Sequence, residues 1–184
     1  MPFPNASTTA EEVVAFWRAA GPSRWFRKDA AFDAEFRQRF LAAHEEAVAG
    51  ALDSWAASAE GTLALLILLD QFPRNSFRGT ARMFATDRQA LALARQAVDA
   101  GQDHQVEKEL RNFFYLPFMH SEALADQERA VALTEPLDAE SHKFALLHRD
   151  IIARFGRFPH RNAQLGRATT PEEQAFLDQG GFAG

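Results

Sequence analysis

The chain has 184 residues, of which 47% are hydrophobic and 24% are charged. This length and balance are typical of one globular domain, residues 1–184, with a sizeable core. A net charge of −5 argues against non-specific nucleic-acid binding, which needs a basic face, so we expect no nucleic-acid partner. The absence of cysteine excludes disulfides, thiol nucleophiles and thiolate zinc sites, and it is typical of a cytoplasmic protein.

The sequence predicts no membrane segment. Residues 1–9 lack the basic start and apolar run of a signal peptide. The longest apolar run, residues 63–69, is too short to span a bilayer. We therefore expect a cytoplasmic location and no membrane partner.

Capping residues and apolar spacing predict the first two helices. The first begins at Thr8 or Thr9, each followed by a glutamate three residues on, and it stops at Gly21 and Pro22. The second begins after Asp29 as N-cap and ends near Gly50. Its buried face is spaced by three or four residues and comprises Phe32, Phe36, Phe40, Ala43 and Ala47.

Residues 63–72 are apolar on all sides in their middle and predict the central, most buried helix. Pro73 is expected to end it, because the residue before a proline is pushed away from helical angles. The alternative is a buried parallel strand, which is disfavoured because no other segment has a strand pattern. The preceding Trp55 lies either in an Ala/Ser-rich link or in a short helical turn.

The second half of the chain predicts five more helices. The fourth covers residues 87–100, the fifth covers 106–116 and ends at Pro117, and the sixth opens within 118–122 and runs to Thr134. The seventh runs from Asp138 or Ala139 to Phe155. The eighth has Thr170 as N-cap and Pro171 at its first position, and it stops at 180–181. The predicted apolar stripe of the seventh helix is Phe144, Leu147, His148, Ile151, Ile152 and Phe155.

The fold class predicted from these elements is all-α, with about eight helices and short links, and hence mostly antiparallel neighbours. Among the histidines, His148 is expected to be a hydrogen-bonded core residue. His44, His104 and His142 are expected at the surface.

Two similar polar turns follow helix ends, at residues 70–79 (DQFPRNSFRG) and 155–167 (FGRFPHRNAQLGR). A single arginine past a helix end can donate to free carbonyls there. Several arginines close together also suit carboxylates or phosphates, which they bind bidentately. These turns predict a site for a small anionic molecule, with the ligand-binding residues Asp70, Arg74, Asn75, Arg78, Arg157, Arg161 and Asn162.

A third polar patch, FFYLPFMHSE at residues 113–122, repeats the order of aromatic run, proline and polar groups. If the three turns meet at one pocket, His120 or His160 is the general acid or base, Glu122 orients it, and the reaction is of hydrolysis type. Trp25 or Tyr115 would form a wall of that pocket. Catalysis itself is left open.

Metal ligation by His120, Glu122 and His160 is chemically possible, since imidazole and carboxylate suit several divalent ions. No pair of histidines has the spacing of a known helical metal motif, however. We therefore assign no metal and no cofactor, and we keep a metal-dependent hydrolase as the last alternative.

The chain resembles a bacterial family known as domain of unknown function 924. The matching stretches are Trp25-Phe26 followed by Asp29, residues 69–75 (LDQFPRN) with Phe77-Arg78, residues 113–122, and residues 155–162 (FGRFPHRN) with 165–167 (LGR). They span nearly the whole chain. The resemblance implies an all-helical fold akin to the tetratricopeptide-like α-α superhelix, and it implies no activity.

A second hypothesis is an interaction module whose concave helical surface holds a peptide or a protein. In that case the polar turns are structural. Asp70 lies on a very apolar helix and needs a cation nearby, so a buried Asp–Arg pair could link the two turns. The sequence does not predict the oligomeric state.

Overall fold

The computed structural model describes residues 8–182, and all of its regular elements in that range are helical. The all-α class with about eight helices is thereby confirmed. The single domain, the antiparallel pairing and the tetratricopeptide-like superhelix stay predictions. The α-helices are Ala10–Ala20 (α1), Pro22–Trp25 (α2), Ala30–Val48 (α3), Ala59–Leu66 (α4), Phe72–Ser76 (α5), Asp87–Asp99 (α6), Asn112–Met119 (α7), Leu124–Thr134 (α8), Ala139–Phe155 (α9) and Pro171–Asp178 (α10).

The helix starts follow the predicted capping residues. Thr9 accepts from the backbone of Glu12, whose side chain accepts from Thr9 in return, so the capping box belongs to Thr9. Asp29 caps α3 by accepting from two backbone N–H groups. Thr170 and Glu173 form the second capping box, at α10. These local hydrogen bonds satisfy donors that a helix start otherwise leaves free.

The core is centred on α4 and on the five residues after it. All residues from Leu63 to Gln71 are buried, as predicted for the central helix. The predicted face of α3 is buried as well, and its three phenylalanines pack against Phe16 and Trp17 of α1. Trp55, whose setting the sequence left open, lies in a 3₁₀ turn, Asp53–Ala57. That turn packs on α4 at Gly61, where a Cβ would come within 2.0 Å of the Trp55 carbonyl oxygen.

The expectation that Pro73 ends the central helix is wrong. The chain passes through one π-turn, Ile67–Gln71, and continues as α5 with Pro73 inside it. Proline has no N–H, so the helix loses one donor for the carbonyls of the preceding turn. The imidazole of His44 contacts the Leu68 oxygen at 2.9 Å, and the hydroxyl of Thr86 donates to the Leu69 oxygen. These two side chains let the helix continue past the proline.

Pro117 does not end its helix either, because α7 runs to Met119 with the proline inside. The segment before α7 is not one helix from residue 106. It forms two short 3₁₀ turns, Gln102–Gln105 and Lys108–Leu110. The next helix, α8, begins only at Leu124, so His120 lies at the C-terminal end of α7.

Two burial predictions are wrong. Phe144 and Leu147 on α9 remain 42% and 39% exposed, whereas His148, Ile151 and Ile152 are buried as predicted. His44 was expected at the surface but is only 3% exposed, because its ring packs on Phe72 in the core.

The end of the chain has a smaller apolar cluster of its own, formed by Ile151, Ile152 and Phe158 with Phe155, Phe176 and Phe182. It joins α9 and α10 across the polar turn between them. Among the residues described, no helix is both long enough and apolar enough to cross a membrane.

Candidate functional site

A cavity of about 980 Å³ opens among α2, α5, α7 and α9. Its polar lining includes Gln71, Arg74, Asn75 and Arg78 from the first turn, and His120 from the end of α7. Its apolar lining includes aromatic side chains from four parts of the chain, Trp25, Phe26, Phe113, Phe144 and Phe182. The volume lies at the upper end of the range for small-molecule sites, about 300–1,000 Å³.

Asp70 and His120 form the central pair of this site. Nδ1 of His120 lies 2.7 Å from Oδ1 of Asp70, although the two residues are 50 positions apart in the chain. Asp70 is only 1% exposed, and it also accepts from Gln71 at 2.7 Å and from Arg74 at 3.3 Å. The Nε2 atom of His120 has no hydrogen-bond partner within residues 8–182, and the residue lines the cavity.

The charges of this pair follow from its surroundings. Burial raises the pKa of Asp70, but the nearby Arg74 and His120 outweigh it and hold that pKa below its ordinary value. Burial, and then the charge of Arg74, lower the pKa of His120. Near pH 7 the pair is therefore an aspartate and a neutral imidazole. Since an ionised carboxylate only accepts, Nδ1 carries the proton and Nε2 has a free lone pair.

Asp87 connects the first and third polar turns. It accepts from Arg74 at 2.7 and 3.0 Å, and Nη1 of Arg161 lies 3.5 Å from its Oδ2. An Asp–Arg link between the turns therefore exists, but it is only partly buried, and Asp87 forms it and not Asp70. Arg161 is buried over the rings of Phe84 and Phe158, and burial followed by the charge of Arg74 lowers its pKa to about 10.

Asp33 fixes the outer part of the first turn. Arg78 binds its carboxylate through Nε at 2.8 Å and through Nη2 at 3.3 Å. Asn75 donates to the same carboxylate at 2.7 Å. Nη1 of Arg78 makes no hydrogen bond within the described residues, and the side chain is 35% exposed, so one end of this guanidinium is free towards solvent.

The third turn does not line the cavity, which corrects the expectation that all three turns share one pocket. Its predicted ligand-binding residues bind other parts of the chain. Arg157 donates to Glu173 at 2.6 and 2.8 Å, and Asn162 donates to the same carboxylate at 3.0 Å. Arg161 is held by Asp87. The physical reason is that carboxylates of α6 and α10 already bind these side chains. Asp87 of α6 pairs with Arg161, and Glu173 of α10 accepts from Arg157 and Asn162.

Glu122 does not orient either histidine. It accepts from Arg167 at 2.8 and 3.0 Å and from the backbone N–H of Phe158 at 2.8 Å. Asp70 occupies the position beside His120 that was expected for Glu122. Tyr115 is buried and donates to Asp103 at 2.7 Å, so it forms no wall of the cavity, whereas Trp25 does.

His160, the other predicted acid or base, does not line the cavity. Its ring packs against Phe158 and Phe182, and its Nδ1 is buried with no hydrogen-bond partner among residues 8–182. Burial, and then Arg161, lower its pKa to about 3. His148 does line the cavity, and its Nδ1 lies 2.7 Å from the carbonyl of Phe144, as expected for a hydrogen-bonded core histidine. Burial lowers its pKa to about 4.

Sequence reasoning missed three carboxylates, Asp33, Asp87 and Glu173, which hold the predicted arginines. All three lie at the N-terminal end of a helix, in α3, α6 and α10, where acidic residues are common because they interact favourably with the helix dipole. Their position alone therefore gave no signal of a distant partner. Within residues 8–182, no group of three or more His, Asp or Glu side chains is placed to hold a metal ion.

Comparison with known proteins places this chain in a family. A family model described as "Bacterial protein of unknown function (DUF924)" matches residues 13–181. The chain belongs to the DUF924 family. A solved structure of a protein of unknown function, ATU0120, from Agrobacterium tumefaciens is similar at a TM-score of 0.91 and 54% identity. The similarity covers 92% of this chain and 97% of that one. No curated protein matches the chain.

Proposed function

We propose that the cavity binds a small anionic molecule and that His120 acts there as a general base, oriented by Asp70, in a hydrolysis-type reaction. The observation that carries the proposal is the pair itself. The buried carboxylate of Asp70 lies 2.7 Å from Nδ1 of His120, and His120 lines the cavity with no hydrogen-bond partner for Nε2 among the described residues. In such a reaction Nε2 would take a proton from a water molecule as the water attacks the substrate.

The preference for an anion rests on three cations of the cavity lining, which also carries three carboxylates, those of Glu109, Asp138 and Glu140. Arg27 and Lys108 form no ion pair with any carboxylate in residues 8–182, and Arg78 has a free Nη1. These groups replace Arg157 and Arg161 as the expected contacts for a carboxylate or a phosphate. Arg74 is already shared by Asp70 and Asp87, so its role is to hold the pair in place.

Binding is tested by a thermal-shift screen of phosphorylated and carboxylated metabolites. We expect at least one class to raise the melting temperature of the parent, and we expect Lys108→Ala and Arg78→Ala to reduce that shift. Lys143→Ala is the matched control, because Lys143 is an exposed lysine on α9 outside the cavity lining. A screen in which no ligand stabilises the parent would remove the support for the site.

Catalysis is tested with chromogenic phosphate and carboxylate esters. Loss of a positioned general base slows a reaction by about 10²–10⁴-fold, so we expect His120→Gln to lose hydrolysis to that degree. His104→Gln is the control, because His104 is exposed and does not line the cavity. Equal rates in the parent and in His120→Gln would exclude this role.

A second candidate function, the interaction module, is favoured by one observation. Each of the five arginines in the two proline turns is bound to a carboxylate: Arg74, Arg78, Arg157, Arg161 and Arg167. Such pairs can be purely structural. If Asp70→Ala lowers the free energy of unfolding by several kcal/mol and no small molecule binds, the module is the better account. The cytoplasmic location belongs to the proposal too, and cell fractionation tests it.

A further inference from the structure

The apolar part of the cavity lining is larger than a small polar anion can use. Trp25 and Phe26 both pack on Phe113, with ring centroids at 5.0 and 6.0 Å. Leu116 and Met119 continue this surface along α7 towards His120. Trp25, Phe113, Leu116 and Met119 are themselves buried, so the apolar surface that a ligand could cover lies elsewhere in the lining.

Two aromatic side chains of this lining remain open to water. Phe26 is 64% exposed and Phe144 is 42% exposed, although phenylalanine normally avoids solvent. They come from different parts of the chain, α9 for Phe144 and the residue after α2 for Phe26, and they line the same cavity. Each has surface that a ligand within the cavity could cover.

The same cavity has cations beside its apolar surface. Lys108 precedes α7, which carries Phe113 and Leu116, and Arg27 follows Phe26 directly. Neither cation is paired with a carboxylate of the described chain, although Glu109, Asp138 and Glu140 line the cavity as well. An apolar wall with unpaired cations next to it is complementary to a molecule that has both an apolar part and a negative charge.

We infer that the ligand of this cavity is an amphipathic anion, a carboxylate head joined to an unbranched hydrocarbon chain. The head lies at Lys108, Arg27 or the free end of Arg78, and the chain lies against the exposed faces of Phe26 and Phe144. This inference rests on the proposed function for the existence of the site, and it adds the chemical class of the ligand.

Calorimetric titration with straight-chain carboxylates from butanoate to decanoate tests the inference. Burial of one methylene changes affinity about fourfold, so the dissociation constant is expected to fall by that factor per added carbon until the cavity is filled. Phe144→Ser should weaken decanoate about tenfold and leave butanoate almost unchanged. The fold tolerates this change, because Phe144 is partly exposed and the contact of its carbonyl with His148 is a backbone contact.

Leu147→Ser is the matched control. Leu147 lies on the same helix and is 39% exposed, but it does not line the cavity, so its replacement should leave every affinity unchanged. Affinities that do not depend on chain length, no binding of any carboxylate, or equal effects of Phe144→Ser and Leu147→Ser would each overturn the inference.

The result also separates this inference from the proposed function. A chain-length trend in a protein that hydrolyses no ester supports the amphipathic ligand, while the catalytic proposal falls. Stabilisation by a phosphorylated sugar together with His120-dependent hydrolysis, but without any chain-length trend, overturns the amphipathic ligand and leaves the proposed function in place.

Discussion

Asp87 binds both terminal nitrogens of Arg74, at 2.7 and 3.0 Å, and thereby fixes the guanidinium that stands beside Asp70. The same carboxylate lies 3.5 Å from Arg161 in the third turn. One side chain at the start of α6 thus joins two polar turns that are distant in sequence. The ionisation of Asp70 depends in part on this link, because the charge of Arg74 lowers the pKa of Asp70.

Replacing Asp87 with alanine should destabilise the fold. Its removal leaves Arg161 without a carboxylate and Arg74 with Asp70 alone in a largely buried place, which costs roughly 3 kcal/mol in the free energy of unfolding. Urea denaturation measures this change. Asp99→Ala is the control, because Asp99 pairs with Arg129 while 66% exposed, and such surface pairs contribute less than about 1 kcal/mol. Equal losses in the two variants would contradict the structural role of Asp87.

Thr86→Val tests how the central helix continues past Pro73. The variant keeps the shape of the side chain but removes the donor to the Leu69 carbonyl, which leaves a buried acceptor unsatisfied. We expect a loss of about 1–3 kcal/mol in the free energy of unfolding. Thr80→Val removes a similar hydroxyl at an exposed position, where water can replace it, and should cost much less. A neutral Thr86→Val would show that the π-turn does not need this bond.

Glu173 is expected to hold α10 against the third turn. It accepts from Arg157, Asn162 and the backbone of Thr170, and it is only 2% exposed. Glu173→Ala should therefore let α10 unfold locally while the rest of the chain stays folded. Hydrogen exchange with mass spectrometry should show faster exchange in residues 168–178 and unchanged exchange in α3 and α4. Glu172→Ala is the neighbouring exposed control, and faster exchange throughout the chain in both variants would contradict this local role.

The buried His148 should make stability depend on pH. Its pKa is about 4 in the folded protein, because burial disfavours the charged ring, and about 6.5 when unfolded. Below pH 6.5 His148 binds a proton in the unfolded chain but not in the folded one. The free energy of unfolding therefore falls as the pH drops towards 4. The loss attributable to His148 is about 2 kcal/mol at pH 4.5.

Urea denaturation between pH 4.5 and 7.5 measures this dependence. His148→Gln keeps a hydrogen-bond donor but cannot titrate, so its stability should depend less on pH than that of the parent. His104→Gln, at an exposed histidine, should follow the parent curve. Parallel curves for His148→Gln and the parent would show that His148 is protonated equally in both states.

The parts of the fold that depend on near neighbours were predictable. Both capping boxes join residues that are three positions apart, Thr9 with Glu12 and Thr170 with Glu173. This spacing alone predicts their hydrogen bonds. The expectation that Pro73 ends the helix failed because His44 and Thr86, which are distant in sequence, contact the carbonyls near the proline. Local sequence contains no sign of these contacts. Local sequence therefore located the helices but not every helix end.

The site was predictable only as a set of candidates. The sequence marked Asp70, Arg74 and His120 as polar groups next to apolar helices, and the structure brings these three together. It did not indicate which carboxylate belongs to which arginine, since Asp33 and Asp87 lie 45 and 13 positions from their partners. Pairing at such distances is set by helix packing, which has no local pattern.

The protonation of His120 at neutral pH tests the central claim most directly. Long-range ¹H–¹⁵N NMR of the histidine ring, recorded at pH 7 on the parent and on His104→Gln to assist assignment, distinguishes the two neutral tautomers from the cation. We predict a neutral His120 with the proton on Nδ1, towards Asp70, and a bare Nε2. A proton on Nε2, or a charged ring at pH 7, would contradict the role of His120 as a base.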